Sequence, residues 1–175
     1  MALLRAVNVS GQNKVAMADL RAHLSRAGYQ DVITYVQSGN AVLKAPATPE
    51  SKLAADLERQ IRKGFALTVT VLVRTPDQLR QIRAANPFAK RGAETGSLYV
   101  TVLATKPTAA QLKELAGKTT GPDEAIVSGR EIYLRCPGGY GRTKLNNSFF
   151  ERQLGTKATT RNWNTITKLL ELAGR

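Results

Sequence analysis

The densest run of residues that could bind a ligand is a glycine-rich loop between a predicted strand and a predicted helix. Its glycines let backbone amides turn inward, and its two cations add full charges beside a helix N-terminus that carries partial positive charge. This combination predicts a site for a phosphate or carboxylate group, whereas a glycine turn before a capped helix is the alternative. The candidate residues are Gly138, Gly139, Gly141, Arg142, Thr143 as the helix cap, and Lys144.

A second polar cluster, 159–165, precedes the last predicted helix, which Asn162 or Asn164 is expected to cap. Arg161 is unusual in this place, because the helix dipole disfavours a cation near an N-terminus. A bound anion or a nearby carboxylate would compensate, so Arg161 and Asn162 join the candidate anion site. Trp163 is a secondary candidate that either stacks on a ligand or anchors the packing.

Further secondary candidates come from the first half of the chain. Asn8 and Lys14 belong to the loop after the first predicted strand, and Ser38 and Asn40 belong to a predicted hairpin turn. Loops after a first strand commonly contact ligands, but a plain turn explains the same residues.

Catalytic and metal chemistry have few candidates, because the chain holds one histidine and one cysteine. His23 lies beside Leu20 and Leu24 in a helical pattern, which favours a structural or surface role. Cys136 has no neighbouring histidine to activate its thiol. One His and one Cys are too few for a zinc cluster, and no pair of carboxylates stands out. We predict no catalytic residue, no metal and no cofactor, and we leave open whether the protein is an enzyme.

The net charge is the strongest compositional signal, with 26 Lys and Arg residues, 13 Asp and Glu residues and a formal charge of +13. Residues 59–91 hold eight basic residues and one acidic residue, and residues 140–175 hold seven and two. Because phosphate contacts are additive in basic side chains, this clustering favours nucleic acid or a phosphorylated small molecule as partner. A solvated basic surface is the alternative.

The remaining composition, with 42% apolar and 22% charged residues, is typical of a folded protein. No apolar run approaches the roughly 20 residues of a membrane span, and the N-terminus lacks the features of a signal peptide. A cysteine without a partner fits a reducing compartment. We therefore expect a cytoplasmic protein without membrane association, either a monomer or a weak homodimer.

The pattern of apolar residues predicts an α+β chain in which the order β-α-β-β-α-β occurs twice. That order predicts two tandem ferredoxin-like subdomains with an additional C-terminal helix. We place an N-terminal subdomain with a linking helix over 1–85, a link over 86–97 and a C-terminal subdomain over 98–175. The predicted strands are 2–9, 32–37, 41–44, 68–74, 98–103, 124–127, 131–136 and 157–161, and the predicted helices are 17–27, 53–65, 77–85, 108–116, 143–154 and 164–173.

Two of the predicted hairpins, 37–44 and 127–134, have Ser-Gly turns 90 residues apart. This spacing favours an architectural duplication, and two unrelated turns are the alternative. A ferredoxin-like fold with basic charge also suggests an RNA-recognition surface, which requires exposed aromatic residues on the sheet. Tyr99 and Tyr133 could share one outer sheet face with Arg135, although partly buried tyrosines explain the pattern equally well.

Four segments of the chain resemble one known family: LLRAVNVSGQNK at 3–14, YVQSGN at 35–40, GRTKL at 141–145 and the most specific one, TTRNWNT at 159–165. The family is a bacterial one, domain of unknown function 1697. The resemblance covers nearly the whole chain and implies an α+β fold of two ferredoxin-like halves, without an assigned activity. The family usually has glycine in place of Ala6 and Ser10 and serine in place of Thr143. If those glycines serve the close approach of a ligand, this loop is altered here.

Three functions are compatible with these observations. The first is a binding module for an anionic ligand, nucleic acid above all, whose phosphates Arg142, Lys144 and Arg161 would contact. The second is an enzyme or sensor for a small phosphorylated metabolite bound between the two halves. The third is a structural or interaction domain. Clustering of Asn8, Asn40, Lys144 and Arg161 in one cleft would favour the first two functions, and scattering would favour the third.

Overall fold

The strands form two antiparallel sheets of four strands each, and the helices alternate with them along the chain. The computed structural model describes residues 1–9, 11, 13–116 and 121–174. Seven α-helices lie in these ranges, together with two short 3₁₀ turns at Thr95–Ser97 and Tyr140–Arg142. The strands are β1 Ala2–Leu4, β2 Gln30–Tyr35, β3 Asn40–Lys44, β4 Val71–Val73, β5 Leu98–Leu103, β6 Glu124–Ser128, β7 Glu131–Arg135 and β8 Ala158–Asn162; the helices are α1 Met17–Arg26, α2 Glu50–Phe65, α3 Pro76–Ala85, α4 Pro87–Lys90, α5 Ala109–Ala116, α6 Asn147–Leu154 and α7 Trp163–Ala173.

The first compact unit comprises Met1–Leu79 together with Leu169–Arg175, a range that includes the last residues of α7. Its sheet has the order β2-β3-β1-β4, with β1 in the interior. Helices α1 and α2 cover one face, because their apolar residues recur every three or four positions and form a single stripe. The stripe of α1 is Met17, Leu20 and Leu24, and that of α2 includes Leu57 and Ile61, all of them buried.

The second unit comprises Arg80–Lys168, and its sheet has the corresponding order β6-β7-β5-β8. Helices α5 and α6 contribute Leu115, Phe150 and Leu154 to a core that contains residues of β5, β7 and β8. The short helix α4 packs against β7. The prediction of an α+β chain is therefore confirmed, since both units combine antiparallel strands with packed helices.

The first strand is shorter than predicted, ending at Leu4 instead of residue 9. Ala6 and Asn8 have positive φ angles of 54° and 55°, a left-handed conformation that cannot continue an extended strand. Alanine gives no sign of this conformation in a sequence, and asparagine, which adopts it more readily, is also found in extended strands. Gly117, the glycine that follows the predicted helix over 108–116, lies outside the described residues, as does Ser10.

The register of the second sheet separates the two tyrosines that were expected on one face. Tyr99 pairs with Leu134, whereas Tyr133 pairs with Val100. Directly paired residues point to the same side of a sheet, so Tyr99 and Tyr133 lie on opposite faces. Tyr133 is buried, and its hydroxyl donates a hydrogen bond of 3.1 Å to the Ile82 carbonyl. The two residues therefore do not form a shared stacking surface.

Raising the pH is expected to destabilise the second unit, because burial raises the pKa of Tyr133 from 10.0 to about 12. The buried phenol keeps its proton where the unfolded chain has lost it, so this stability is present below pH 10 and is lost as the pH rises toward 12. Tyr133→Phe should weaken this dependence and cost about 1 kcal/mol at neutral pH through the lost hydrogen bond. Urea unfolding at neutral and alkaline pH measures both effects, and equal alkaline losses in the two proteins would contradict the assignment.

The predicted domain limits at residues 85 and 98 stay a prediction, since compactness alone does not show that either piece folds independently. Within the described ranges, no helix combines the length and the apolar composition that crossing a membrane requires.

Candidate functional site

The glycine-rich loop connects β7 to α6, and its helix begins later than the sequence predicts. A 3₁₀ turn at Tyr140–Arg142 follows Gly139, whose φ is 84°. Helix α6 begins at Asn147, and the Oδ1 of Asn146 accepts the cap hydrogen bond of 3.0 Å from the Phe149 amide. The prediction that Thr143 caps a helix over 143–154 is therefore wrong.

Thr143 instead fixes the loop to another part of the second unit. Its buried hydroxyl donates to the Oδ2 of Asp123 at 2.6 Å and accepts a hydrogen bond from the Leu145 amide at 3.1 Å. The hydroxyl also hydrogen-bonds the buried thiol of Cys136, whose pKa is raised mainly by burial. The partner Asp123 lies 20 residues earlier in the chain. Side-chain contacts at that separation have no local sequence signal, so the role of Thr143 was missed.

A second anchor of the loop is Tyr140, which the sequence did not single out. Its hydroxyl donates to the Oγ1 of Thr160 at 2.9 Å, and Thr160 in turn donates to the Oδ1 of Asn147 at 2.7 Å. The ring of Tyr140 packs against that of Tyr99, with centroids 5.2 Å apart. Burial raises the pKa of the Tyr140 phenol. The loop is thus attached to β5, β8 and the first residue of α6.

The two cations of the loop flank Thr143 and are exposed. Among the residues that the structure describes, neither Arg142 nor Lys144 has a side-chain ion pair or hydrogen bond. Thr143 is buried between the two cations and its hydrogen bonds anchor the backbone of the loop. The loop therefore holds two solvent-facing charges on an ordered backbone. This geometry allows both cations to meet anionic groups from solvent.

Several backbone amides of the glycine-rich loop already donate internal hydrogen bonds, among them that of Gly139. The Gly139 amide donates to the Cys136 carbonyl at 3.0 Å, and the Arg142 amide donates to the Gly139 carbonyl at 3.2 Å. The Tyr140 amide donates to the hydroxyl of Tyr99 at 3.4 Å. Gly138 and Gly141 are the remaining glycines of the loop, and both have open space where a Cβ would stand. Anion contacts here would therefore come chiefly from side chains.

Arg161 does not converge with the loop cations. In β8 it pairs with Val100, whereas Thr160 pairs with Thr101, so Arg161 lies on the sheet face opposite the Tyr140 contacts. Its side chain is buried and donates to the Thr159 hydroxyl at 2.8 Å and to the Thr160 carbonyl at 2.9 Å. Burial lowers its pKa from 12.5 to about 10. Its expected place beside Arg142 and Lys144 is not what the structure shows.

The other two candidate site residues of the 159–165 cluster, Asn162 and Trp163, have structural contacts. The Oδ1 of Asn162 accepts a hydrogen bond of 2.7 Å from the Thr165 amide and so caps α7, as expected for one of the two asparagines. Trp163 is buried, consistent with a packing anchor.

In the first unit, Asn8 connects two loops. Its Nδ2 donates to the carbonyls of Val15 and Gln37, each at 2.8 Å, and its Oδ1 accepts from the Val15 amide at 2.8 Å. Asn40 is buried and donates to the Tyr35 carbonyl at 3.1 Å and to the Ser38 hydroxyl at 3.2 Å. These polar groups hold the turn and the loop together, and Lys14 alone among the first-unit candidates is a solvent-exposed cation.

The left-handed conformation at position 6 accounts for the glycine that the family usually has there, not for the alanine of this chain. A φ of 54° is readily adopted by glycine and rarely by alanine. A glycine at this position would therefore serve the backbone conformation, without any need for ligand approach.

Two antiparallel sheets, with helices inserted in the same order in each, define an α+β protein. Its glycine-rich loop, called the basic loop below because it carries Arg142 and Lys144, is anchored by side-chain hydrogen bonds. The family described as "Protein of unknown function (DUF1697)" matches residues 1–133, and the chain belongs to that family. The basic loop and the 159–165 cluster lie beyond the matched residues.

Among solved structures, the chain is similar to a conserved bacterial protein from Streptococcus pneumoniae. The similarity covers 98% of this chain and 96% of that one, with a TM-score of 0.73 and 19% sequence identity. At this identity the likeness shows the fold alone. No curated protein matches the chain.

Proposed function

We propose that the protein is a cytoplasmic binding module for a phosphate-bearing polyanion, with nucleic acid as the leading candidate. The observation that supports this most directly is the pair of exposed cations, Arg142 and Lys144, on a loop fixed by Thr143 and Tyr140. A loop that is already ordered loses little conformational entropy when it binds. Arginine contacts a phosphate in a bidentate manner and lysine as a point charge, so the two can engage adjacent phosphates of a backbone.

The distribution of charge along the chain also favours the second unit as the part that carries the binding surface. The second unit, Arg80–Lys168, holds 15 basic and 6 acidic residues, a formal charge of +9 out of +13 for the whole chain. Residues 80–91 alone hold four basic residues and no acidic one. A field of this sign raises the local concentration of polyanions and accelerates their association.

The proposed fold assignment is that each unit is ferredoxin-like. The sheet orders β2-β3-β1-β4 and β6-β7-β5-β8 are equivalent, and the helices follow the first and third strand of each set. These orders support the proposal of a split βαββαβ arrangement in each unit. Since Tyr99 and Tyr133 lie on opposite faces, an aromatic sheet platform is not part of the proposal, and the phosphate backbone is the element that the protein would contact.

The test is the salt dependence of affinity for fluorescein-labelled single-stranded RNA and duplex DNA, followed by anisotropy between about 50 and 200 mM salt. Arg142→Gln combined with Lys144→Gln should reduce the slope of log K against log salt by about 1.5, because each lost phosphate contact removes roughly 0.7–0.9. The matched control is Lys106→Gln with Lys113→Gln, which removes the same charge from other exposed positions of the second unit.

Equal effects of the two double variants would show that only net charge matters and would contradict a loop site. Affinity indifferent to salt would contradict polyanion binding as such. A discrete thermal shift with nucleotides or sugar phosphates, without salt-steep binding of oligonucleotides, would replace the proposal by a small phosphorylated ligand.

A further inference from the structure

The first unit contains an open cavity of about 630 Å³ that none of the candidate residues lines. It lies beside β2 and β3, at the start of α3 and at the last residues of α7. Volumes in the range of roughly 300–1,000 Å³ are those of small-molecule sites. Eight of its ten lining residues are apolar, among them Ile33, Val42, Pro76 and Leu172.

The two remaining lining residues, Asp31 and Lys44, are charged and form an ion pair of 2.6 Å between Oδ2 and Nζ. Both side chains are mostly exposed, with 64% and 70% of their surface accessible, so they stand where the cavity meets solvent. Asp31 has a φ of 49° and lies where the β2–β3 register shifts between Gln30 and Ile33. Such a bulge redirects a side chain, which here brings the carboxylate to Lys44.

The chemistry of the lining restricts what the cavity can hold. Its ten residues include no neutral polar side chain, so polar groups along the body of a ligand would lose their hydrogen bonds to water without replacement. A ligand with an apolar body and one charged end avoids this cost. The first unit holds 11 basic and 7 acidic residues, a formal charge of +4, and a field of this sign favours an anionic end over a cationic one.

We propose that this cavity binds a medium-chain fatty-acyl carboxylate, with its chain against Ile33, Val42 and Leu172 and its carboxylate at the Nζ of Lys44. The carboxylate of Asp31 competes with the ligand for the same ammonium group. The ion pair therefore keeps the Lys44 side chain at the cavity but reduces its interaction with a bound carboxylate. This site belongs to the first unit and is independent of the cations proposed to bind polyanions in the second.

The competition predicts that the two charged residues have opposite effects. Isothermal titration of the full chain with decanoate, kept below its micelle concentration, should show saturable binding with one site. Lys44→Gln should weaken the affinity by about tenfold, since it removes the charged partner. Asp31→Asn should strengthen it several-fold by releasing Lys44, and asparagine tolerates the left-handed conformation at this position. Lys63→Gln, which removes an exposed charge away from the cavity, is the matched control and should leave the affinity unchanged.

The length of the ligand provides a second, independent measurement. Affinity should increase by roughly fourfold for each added methylene from octanoate to decanoate, as expected when the chain leaves water for the cavity. Decanol and decylamine should bind more weakly than decanoate. The proposal would be overturned by the absence of saturable binding, by a Lys44→Gln variant that binds decanoate like the wild type, or by tighter binding of decylamine that Asp31→Asn abolishes.

Discussion

Replacing Gly39 with alanine is expected to destabilise the first unit by about 2–4 kcal/mol. Gly39 has a φ of 77°, and a Cβ added there would stand 2.9 Å from the Cβ of Leu4 and 3.1 Å from that of Val7. Both neighbours are fully buried, so neither has free space to move into. The Gly39 carbonyl also accepts the Leu4 amide at 2.8 Å, which fixes the distance between the turn and the first strand. Backbone strain and overpacking therefore act together.

Gly92→Ala separates these two contributions. Gly92 has a similar φ of 74°, but a Cβ added there would meet no atom within 4 Å. Only the conformational cost remains, about 1–2 kcal/mol. Urea unfolding of both variants, followed by far-ultraviolet circular dichroism, measures the difference. If the two substitutions lower the free energy of unfolding equally, the contacts with Leu4 and Val7 add nothing to the cost of alanine at Gly39.

Truncation of Phe150 to alanine is expected to cost about 3–5 kcal/mol, the largest effect among the substitutions considered for the second unit. Phe150 is fully buried in the core with Leu134 and Leu154, and its ring meets that of Phe149 edge to face at 5.3 Å. The vacated volume lies between α6 and the sheet, where collapse would require the helix to move. Phe149 is only half-buried, so Phe149→Ala should cost less, about 1–2 kcal/mol.

Phe150→Ala also tests how the glycine-rich loop before α6 is anchored. Helix α6 begins with Asn147, which accepts the hydrogen bond from Thr160 in the Tyr140 network. Because Phe150→Ala loosens α6, this variant should bind polyanions more weakly than the wild type. The salt dependence of its affinity should stay unchanged, since Arg142 and Lys144 are still present. Urea unfolding gives the stability and anisotropy gives the affinity. If Phe150→Ala changes the slope of log K against log salt, the anchoring of the loop and the charges on it do not act independently.

The order of elements could be predicted from the sequence because it depends on local periodicity. The strand over 98–103 was predicted with the observed bounds, and α1 and α2 follow from apolar steps of three and four residues. The early end of β1 could not be predicted in this way. It depends on left-handed conformations at Ala6 and Asn8, residue types that occur in many other conformations as well.

The candidate site was predicted only in part, for a similar reason. The exposure of Arg142 and Lys144 agrees with a basic loop, but the anchors of that loop depend on partners distant in the chain: Asp123 for Thr143 and Thr160 for Tyr140. The sequence singled out Arg161 as unusual, but the sheet face on which its side chain lies depends on the register of β8. A shift of one residue in a strand moves a side chain to the other face, and no local pattern near Arg161 defines that register.

The two equivalent hairpin turns differ in how much sequence change they can accept. The turn at Gly39 is closed against the buried residues Leu4 and Val7, whereas at Gly129 an added Cβ would contact only the Oε2 of Glu131, at 3.6 Å. The β6–β7 turn is thus the one of the pair with room for a side chain at its glycine. Its backbone is still tied to the second sheet, because the Arg130 carbonyl accepts a hydrogen bond of 2.8 Å from the amide of the buried Leu103. Divergence at this turn is therefore expected in the side chains of its tip and not in its length.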